Sequence, residues 1–197
     1  MHTKNLRKGW FCRKIQTVAI YNQGGFFMGR FILLTALPKT GKSTAISKIA
    51  SAIGTDVCHG FITKEVSENN ERTGFEINTL SGVKATLSSI YYKSDIMVGK
   101  YGVNLEAFES VCLPELNHSN GIIFIDEIGP MQLHSQRFKN RLMELLNEDV
   151  TVIGTIYYES YPWVDDFKKK PQIELVEITL ENRNDIPEVV LAKLNQP

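Results

Sequence analysis

The segment Thr35-Ala36-Leu37-Pro38-Lys39-Thr40-Gly41-Lys42-Ser43-Thr44 constrains the fold more than any other stretch of the chain. Apolar Phe31-Ile32-Leu33-Leu34 comes before it. Behind it apolar residues recur at Ala45, Ile46, Ile49, Ala50 and Ile53. The first pattern predicts a short buried strand over 30–35, and the second an amphipathic helix over 42–53, closed by Gly54. A strand, a glycine-bearing loop and a helix in that order form a cradle for phosphate. Gly41 lets backbone amides turn inward, and the helix N-terminus adds unpaired N–H groups and a positive dipole end. Lys42 supplies a mobile charge for the β- and γ-phosphates, and Ser43 a hydroxyl for Mg²⁺. The full G-x-x-x-x-G-K-[ST] pattern begins with glycine where this chain has Ala36. If the loop needs positive φ there, the methyl group weakens binding; if not, Ala36 is tolerable.

A phosphate cradle of this kind works with a carboxylate at the end of a neighbouring strand. Gly121–Ile125 reads as a buried strand, and Asp126-Glu127 follows it directly. A carboxylate there is costly to desolvate unless a cation compensates, so Asp126 is assigned with Ser43 to a Mg²⁺ shell. Glu127 is assigned to orient or deprotonate an attacking water. The expected nucleotide site therefore has two parts. One is Ala36, Leu37, Pro38, Lys39, Thr40, Gly41, Lys42, Ser43 and Thr44. The other is Ile122, Ile123, Phe124, Ile125, Asp126, Glu127, Ile128 and Gly129.

The rest of the chain alternates in the same manner. Val57–Val66 reads as extended, Glu68-Asn69-Asn70-Glu71 as a turn, and Phe75–Leu80 with Ser81-Gly82 as an antiparallel hairpin. Leu105–Leu113 reads as a helix that Pro114 ends or kinks. Met131–Leu146 reads as the longest helix, Val150–Tyr157 and Ile173–Leu180 as strands, and Asp185–Leu194 as a last helix capped by Asn184. Strands separated by helices predict an α/β fold with a mostly parallel sheet and an inserted hairpin.

Charge separates the chain into two parts. Residues 1–27 hold five Lys or Arg and no acid; the remainder holds 17 basic and 22 acidic side chains, a net of −5. The basic piece is read as an extension outside the fold, with Met28 as the true start and residues 28–197 as the domain. A targeting peptide and a nucleic-acid arm are the competing readings. Neither part makes a general nucleic-acid surface. No apolar run is long enough to span a bilayer. Three widely spaced cysteines, Cys12, Cys58 and Cys112, argue against a disulfide scaffold and for a reducing, cytoplasmic setting.

Further strings sharpen this reading: Gly60-Phe61-Ile62-Thr63-Lys64-Glu65-Val66, Arg72-Thr73-Gly74-Phe75-Glu76, Thr79-Leu80-Ser81-Gly82, Val98-Gly99-Lys100-Tyr101, Ile125-Asp126-Glu127-Ile128-Gly129 and Glu181-Asn182-Arg183-Asn184. In this order they resemble the small nucleoside-triphosphatase family first described from thermophiles, whose vertebrate members are cancer-related nucleoside-triphosphatases. The resemblance spans about Met28 to Arg183. It implies a P-loop NTPase fold with a RecA-like sheet, and Mg²⁺-dependent hydrolysis of several nucleoside triphosphates, ATP and GTP among them, to diphosphate and phosphate. The family's loop usually reads G-P-P-G-V-G-K-T-T, so Ala36 and Lys39 stand at two glycine positions and Leu37 at a proline position.

Phosphoryl transfer also benefits from a cation on the moving group. Arg183, after a strand and before a helix, is the catalytic candidate beside Glu127 and Lys42. Arg72 is read as structuring the hairpin, and Arg137 and Arg141 as surface or salt-bridge residues. Lys168-Lys169-Lys170 is read as a solvated loop. Tyr157, Tyr158, Tyr161 and Trp163 are either a wall for the base or a closed core edge. The alternatives to a hydrolase are a nucleotide or nucleic-acid 5′-hydroxyl kinase, a regulatory switch and a weakly binding degenerate member. Base preference and oligomeric state stay open at this level.

Overall fold

The computed structural model describes residues 29–54, 57–119 and 121–194. The basic extension predicted over residues 1–27 lies outside them. A single nine-stranded sheet organises the described residues, with helices on both faces. Strand β1 (Arg30–Thr35) runs into the loop, and α1 (Lys42–Ile53) follows it. Next come β2 (Cys58–Glu68), β3 (Glu71–Thr79), β4 (Lys84–Ser89), β5 (Met97–Val98) and β6 (Tyr101–Val103). Helix α2 (Leu105–Glu115), β7 (Ile122–Ile128), α3 (Gln136–Leu145), β8 (Thr151–Ile156), α4 (Pro162–Lys168), β9 (Ile173–Glu177) and α5 (Ile186–Leu194) complete the described chain.

The sheet order is β5-β6-β4-β3-β2-β7-β8-β1-β9. From β2 through β7, β8 and β1 to β9 all pairings are parallel, whereas β2 through β6 pair antiparallel. Alternation along β1 supplies both cores. Phe31 and Leu33 face the layer holding Phe108, Phe138 and Phe167 of α2, α3 and α4. Ile32 and Leu34 face the layer holding Ile46 and Ile49 of α1 and Val190 of α5. A parallel strand covered on both faces reads as a continuous apolar run, and Phe31–Leu34 is one.

Several expectations needed correction. The inserted hairpin is a larger antiparallel meander, because β3 already starts at Glu71 and pairs with β2 on one side and β4 on the other. The turn at Asn69-Asn70 has φ values of 50° and 66°, which asparagine tolerates in a two-residue hairpin loop. Strand β7 does not stop at Ile125 but continues to Ile128, so both acids lie within it. The predicted helix over 131–146 is broken: a short 3₁₀ turn over Gln132–His134 precedes α3. Ser135 causes the break, since its extended backbone lets its hydroxyl accept from the Phe138 amide (3.0 Å) and cap α3. The longest helix among the described residues is then α1, with 12 residues. The expected loop near Lys168 is partly helical, because Pro162 opens α4 and Val164 and Phe167 bury its inner side. Pro114 sits within the last turn of α2, and the last helix begins at Ile186.

Gly60 joins the two parts of the sheet. Its φ is 103°, and a Cβ there would lie 1.9 Å from the carbonyl oxygen of Phe124. Its amide donates to Glu115 Oε2 (3.2 Å), while Ser81 donates to the other oxygen of that buried carboxylate. Glycine is therefore required for the close approach of β2 to β7.

Candidate nucleotide site

The carboxyl ends of β1, β7 and β8 meet at one edge of the sheet, where open α/β sheets bind ligands. A cavity of about 700 Å³ opens there. Its floor is the loop after β1, including Ala36, Lys39, Gly41, Lys42 and Ser43, and Asp126 and Glu127 line its side.

Gly41 is the N-cap of α1 with φ 116°, and it has no side chain to cap the helix. The first turn also lacks an acid, so no carboxylate competes there for the helix N-terminus. Thr40 stiffens the loop by donating its hydroxyl to the Leu37 carbonyl (2.8 Å). Lys42 Nζ donates to the Ala36 carbonyl (3.0 Å) and stands 3.9 Å from Glu127 Oε1, so it is folded over the loop where an anion would sit.

The residues at the two glycine positions of the loop separate cleanly. Ala36 is fully buried and its backbone is not left-handed, so its methyl group carries no such strain. Lys39 has φ 65°, a conformation that costs a non-glycine residue roughly 1–2 kcal/mol. Lys39 also lines the cavity.

Asp126 is almost fully buried. Thr155 donates to its Oδ1 (2.5 Å), and Thr63 donates to its backbone carbonyl (2.5 Å). Its Oδ2 is buried with no hydrogen-bond partner. Burial pushes this carboxyl above the usual carboxylate range, against the opposing pull of Thr155, Ser43 and Lys42. An orphaned carboxylate oxygen beside a serine hydroxyl is an incomplete hard-oxygen shell, and it fits a Mg²⁺ ion. Among the described residues no group of three or more His, Cys, Asp or Glu side chains forms a complete metal cage. A cation here would therefore draw its other ligands from phosphate and water. Glu127 is raised by burial and by Asp126 and lowered by Lys42, with burial the larger effect. Its carboxylate faces the open cavity rather than the core.

The remaining expected residues divide. In the stretch 122–129, Asp126 and Glu127 line the cavity; Ile123, Phe124, Ile125 and Ile128 are core residues of β7. Arg183 lies on the other flank of the loop, in a cleft of about 190 Å³ with Thr40, Gly41, Thr44, Lys48 and Asn184. Tyr157 and Tyr158 do line the cavity, whereas Trp163 stacks on Phe167 (4.7 Å) and Tyr161 packs against the core. Arg137 pairs with Glu109, and Arg141 with Glu144 and Glu148. The sequence reading missed the wall opposite the loop: Thr63, Lys64, Glu65, Arg72 and Phe75. Only the register of the meander brings these residues over the loop, although Arg72 and Phe75 stand three apart in one family-like string.

Comparisons with known proteins bear on the family and the fold. The sequence model of a family described as NTPase matches residues 31–191. Nucleoside-triphosphatase THEP1 of Aquifex aeolicus is 36% identical over 177 residues, covering 84% of this chain and 99% of that protein. The cancer-related nucleoside-triphosphatase homolog of Mus musculus is 33% identical over 183 residues, covering 83% and 96%. The crystal structure of Aquifex aeolicus THEP1 superimposes with a TM-score of 0.75 at 34% identity, over 86% of this chain and all of that one. The solution structure of a human cancer-related nucleoside triphosphatase gives 0.73 at 30% identity, over 84% and 97%. With its P-loop, its paired acids on β7 and its mostly parallel sheet, the chain belongs to the NTPase family.

Proposed function

We propose that the protein hydrolyses nucleoside triphosphates to diphosphate and phosphate, with Mg²⁺ and little discrimination among bases. The observation that carries this reading is the pairing of two unlike carboxylates at the end of β7. Asp126 is buried with one unpartnered oxygen beside Ser43. Glu127 faces the cavity within 3.9 Å of Lys42. Ser43 and Asp126 would hold Mg²⁺, which when bound neutralises charge on the phosphates. The amides at the start of α1 and Lys42 bind the phosphate chain. Glu127 orients the attacking water and accepts its proton; its raised affinity for protons suits a base. Thr155 and Thr63 hold Asp126 in place.

Arg183 is assigned to the nucleoside rather than to the reacting phosphate, because its cleft adjoins Thr44 on the far side of the loop. A guanidinium packed flat on a base does not read its edge, which suits broad base use. Buried, unpaired Cys58 and Cys112 suit a reducing compartment, and we place the protein in the cytoplasm.

The test is phosphate release from ATP, GTP, CTP and UTP with Mg²⁺ and with EDTA. All four triphosphates are expected to turn over with Mg²⁺ and none with EDTA. A phosphorylated alcohol in place of free phosphate would move the reading to a kinase. Undetectable nucleotide binding by calorimetry would move it to a degenerate member.

A further inference from the structure

We propose that Arg72 is the cation that meets the transferring phosphoryl group, supplied from within the chain by the antiparallel meander. This inference rests on the hydrolase reading. Arg72 is the one arginine among the described residues lining the main cavity, which it shares with Lys42 and Glu127. Arg183 opens onto a different cleft.

The guanidinium of Arg72 is held in several directions. Its Nε donates to the Tyr101 hydroxyl (2.9 Å) and its Nη1 to Glu65 Oε1 (2.8 Å). It lies over the rings of Phe75 (5.1 Å) and Tyr101 (5.6 Å). Its Nη2 takes no acceptor among the described residues, and the side chain is 43% exposed. An ion pair this open contributes little to stability. Yet four contacts fix the plane and leave part of the donor fork unused. Fixed donors left unspent are what electrostatic stabilisation of a transition state requires.

Register puts the group at a suitable level. Ile62 of β2 pairs with Asp126 of β7. Glu65, which holds the guanidinium, stands three residues further along β2, about 10 Å beyond Asp126 at ordinary strand rise. Arg72 therefore overhangs the loop from the opposite wall. In hydrolysis the water oxygen forms a bond to the γ-phosphorus and the bond from that phosphorus to the β,γ-bridging oxygen breaks. The electron pair leaves with the diphosphate, and the water proton passes to Glu127. Negative charge spreads over the equatorial γ-oxygens during this step, and the free donors of Arg72 meet it there. Glu65 and Tyr101 are positioning residues for that guanidinium.

The test uses the full chain with Mg²⁺, ADP and aluminium fluoride, which mimics the transferring phosphoryl group. Arg72→Ala and Arg72→Lys are expected to lower kcat by roughly 10²–10³-fold, the effect of losing a preorganised donor, and to stop trapping ADP with aluminium fluoride. ADP affinity and Tm should stay near wild type, and added guanidinium ion should restore part of the rate to Arg72→Ala. Tyr101→Phe, which keeps the ring beneath the guanidinium, should lower kcat less and leave KM unchanged. The proposal is overturned if a folded Arg72 variant turns over and traps aluminium fluoride like wild type. It is equally overturned if activity falls only in step with Tm. Should Arg72→Ala fail to fold, Arg72→Lys carries the same readouts. Absence of phosphate release by the wild-type chain would instead remove the hydrolase reading itself.

Discussion

The two parts of the sheet divide the site unequally. The parallel part, β9-β1-β8-β7, ends in the phosphate loop and the two acids, all at the carboxyl edges of its strands. Its inner strands β1, β8 and β7 are covered on both faces, so the groups they carry are fixed by a packed core. The antiparallel part, from β2 to β6, contributes no phosphate cradle. It projects beyond that edge and returns Lys64, Glu65, Arg72 and Phe75 over the cavity. Its outer strands are short and its tip carries exposed Val66, Tyr91 and Tyr92. The parallel part thus fixes where phosphate sits, and the meander shapes what meets the phosphate from outside.

The largest expected effect comes from separating the two parts at their seam. Gly60→Ala places a methyl group against the Phe124 carbonyl at a left-handed φ. It should lower unfolding stability by ~3 kcal/mol, read by urea denaturation. An unchanged midpoint would mean that the seam relaxes without cost. Within the parallel part, Lys42→Ala removes the ammonium that folds over the loop. Nucleotide affinity should drop by about 100-fold or more in calorimetry, the equivalent of one or two charge-assisted hydrogen bonds.

A smaller effect separates the two acids by pH. Burial raises both carboxyls, so the folded state holds their protons more tightly than the unfolded chain does. Stability of the nucleotide-free protein should therefore fall as pH rises from the ordinary carboxylate range through the raised values. Asp126→Asn should raise the melting temperature at neutral pH and abolish Mg²⁺-dependent nucleotide binding. Activity should run the other way, rising with pH as Glu127 loses its proton. A rate independent of pH across that window would remove Glu127 as the base. The smallest effect concerns the thiols. Burial pushes Cys58 up to about 11 and Cys112 further still, so neither should react with a disulfide reagent at neutral pH until the protein unfolds.

The same division explains what could be read from the sequence. The phosphate loop was legible because local periodicity and a short motif specify it, from Phe31 to Ile53. Asp126-Glu127 was legible because two acids after four apolar residues are anomalous in a buried strand. The extent of β7 was not, because its pairing with β2 and β8 sets it. The break before α3 was hidden by apolar spacing that runs through Ser135, although serine is itself a capping residue. Helix α4 was masked by its charges, Asp165, Asp166 and Lys168, which lie over two buried apolar residues. Arg72 was read as a structural residue of the hairpin because its place in the cavity depends on the β2–β3 register and on Glu65 and Tyr101, 7 and 29 residues away in the chain. Arg183 stands between β9 and α5 in the chain, but sequence cannot say on which flank of the phosphate loop its side chain falls.

The central claim is that the two acids have separate duties: Asp126 serves the metal and Glu127 the water. Glu127→Gln tests it most directly, with single-turnover phosphate release and ATP binding measured on the same preparation. Separate duties predict ATP affinity near wild type and a rate lower by about 10²–10⁴-fold, the usual worth of a general base. A Glu127→Gln protein that releases phosphate at the wild-type rate, or that loses ATP binding along with its activity, would contradict it.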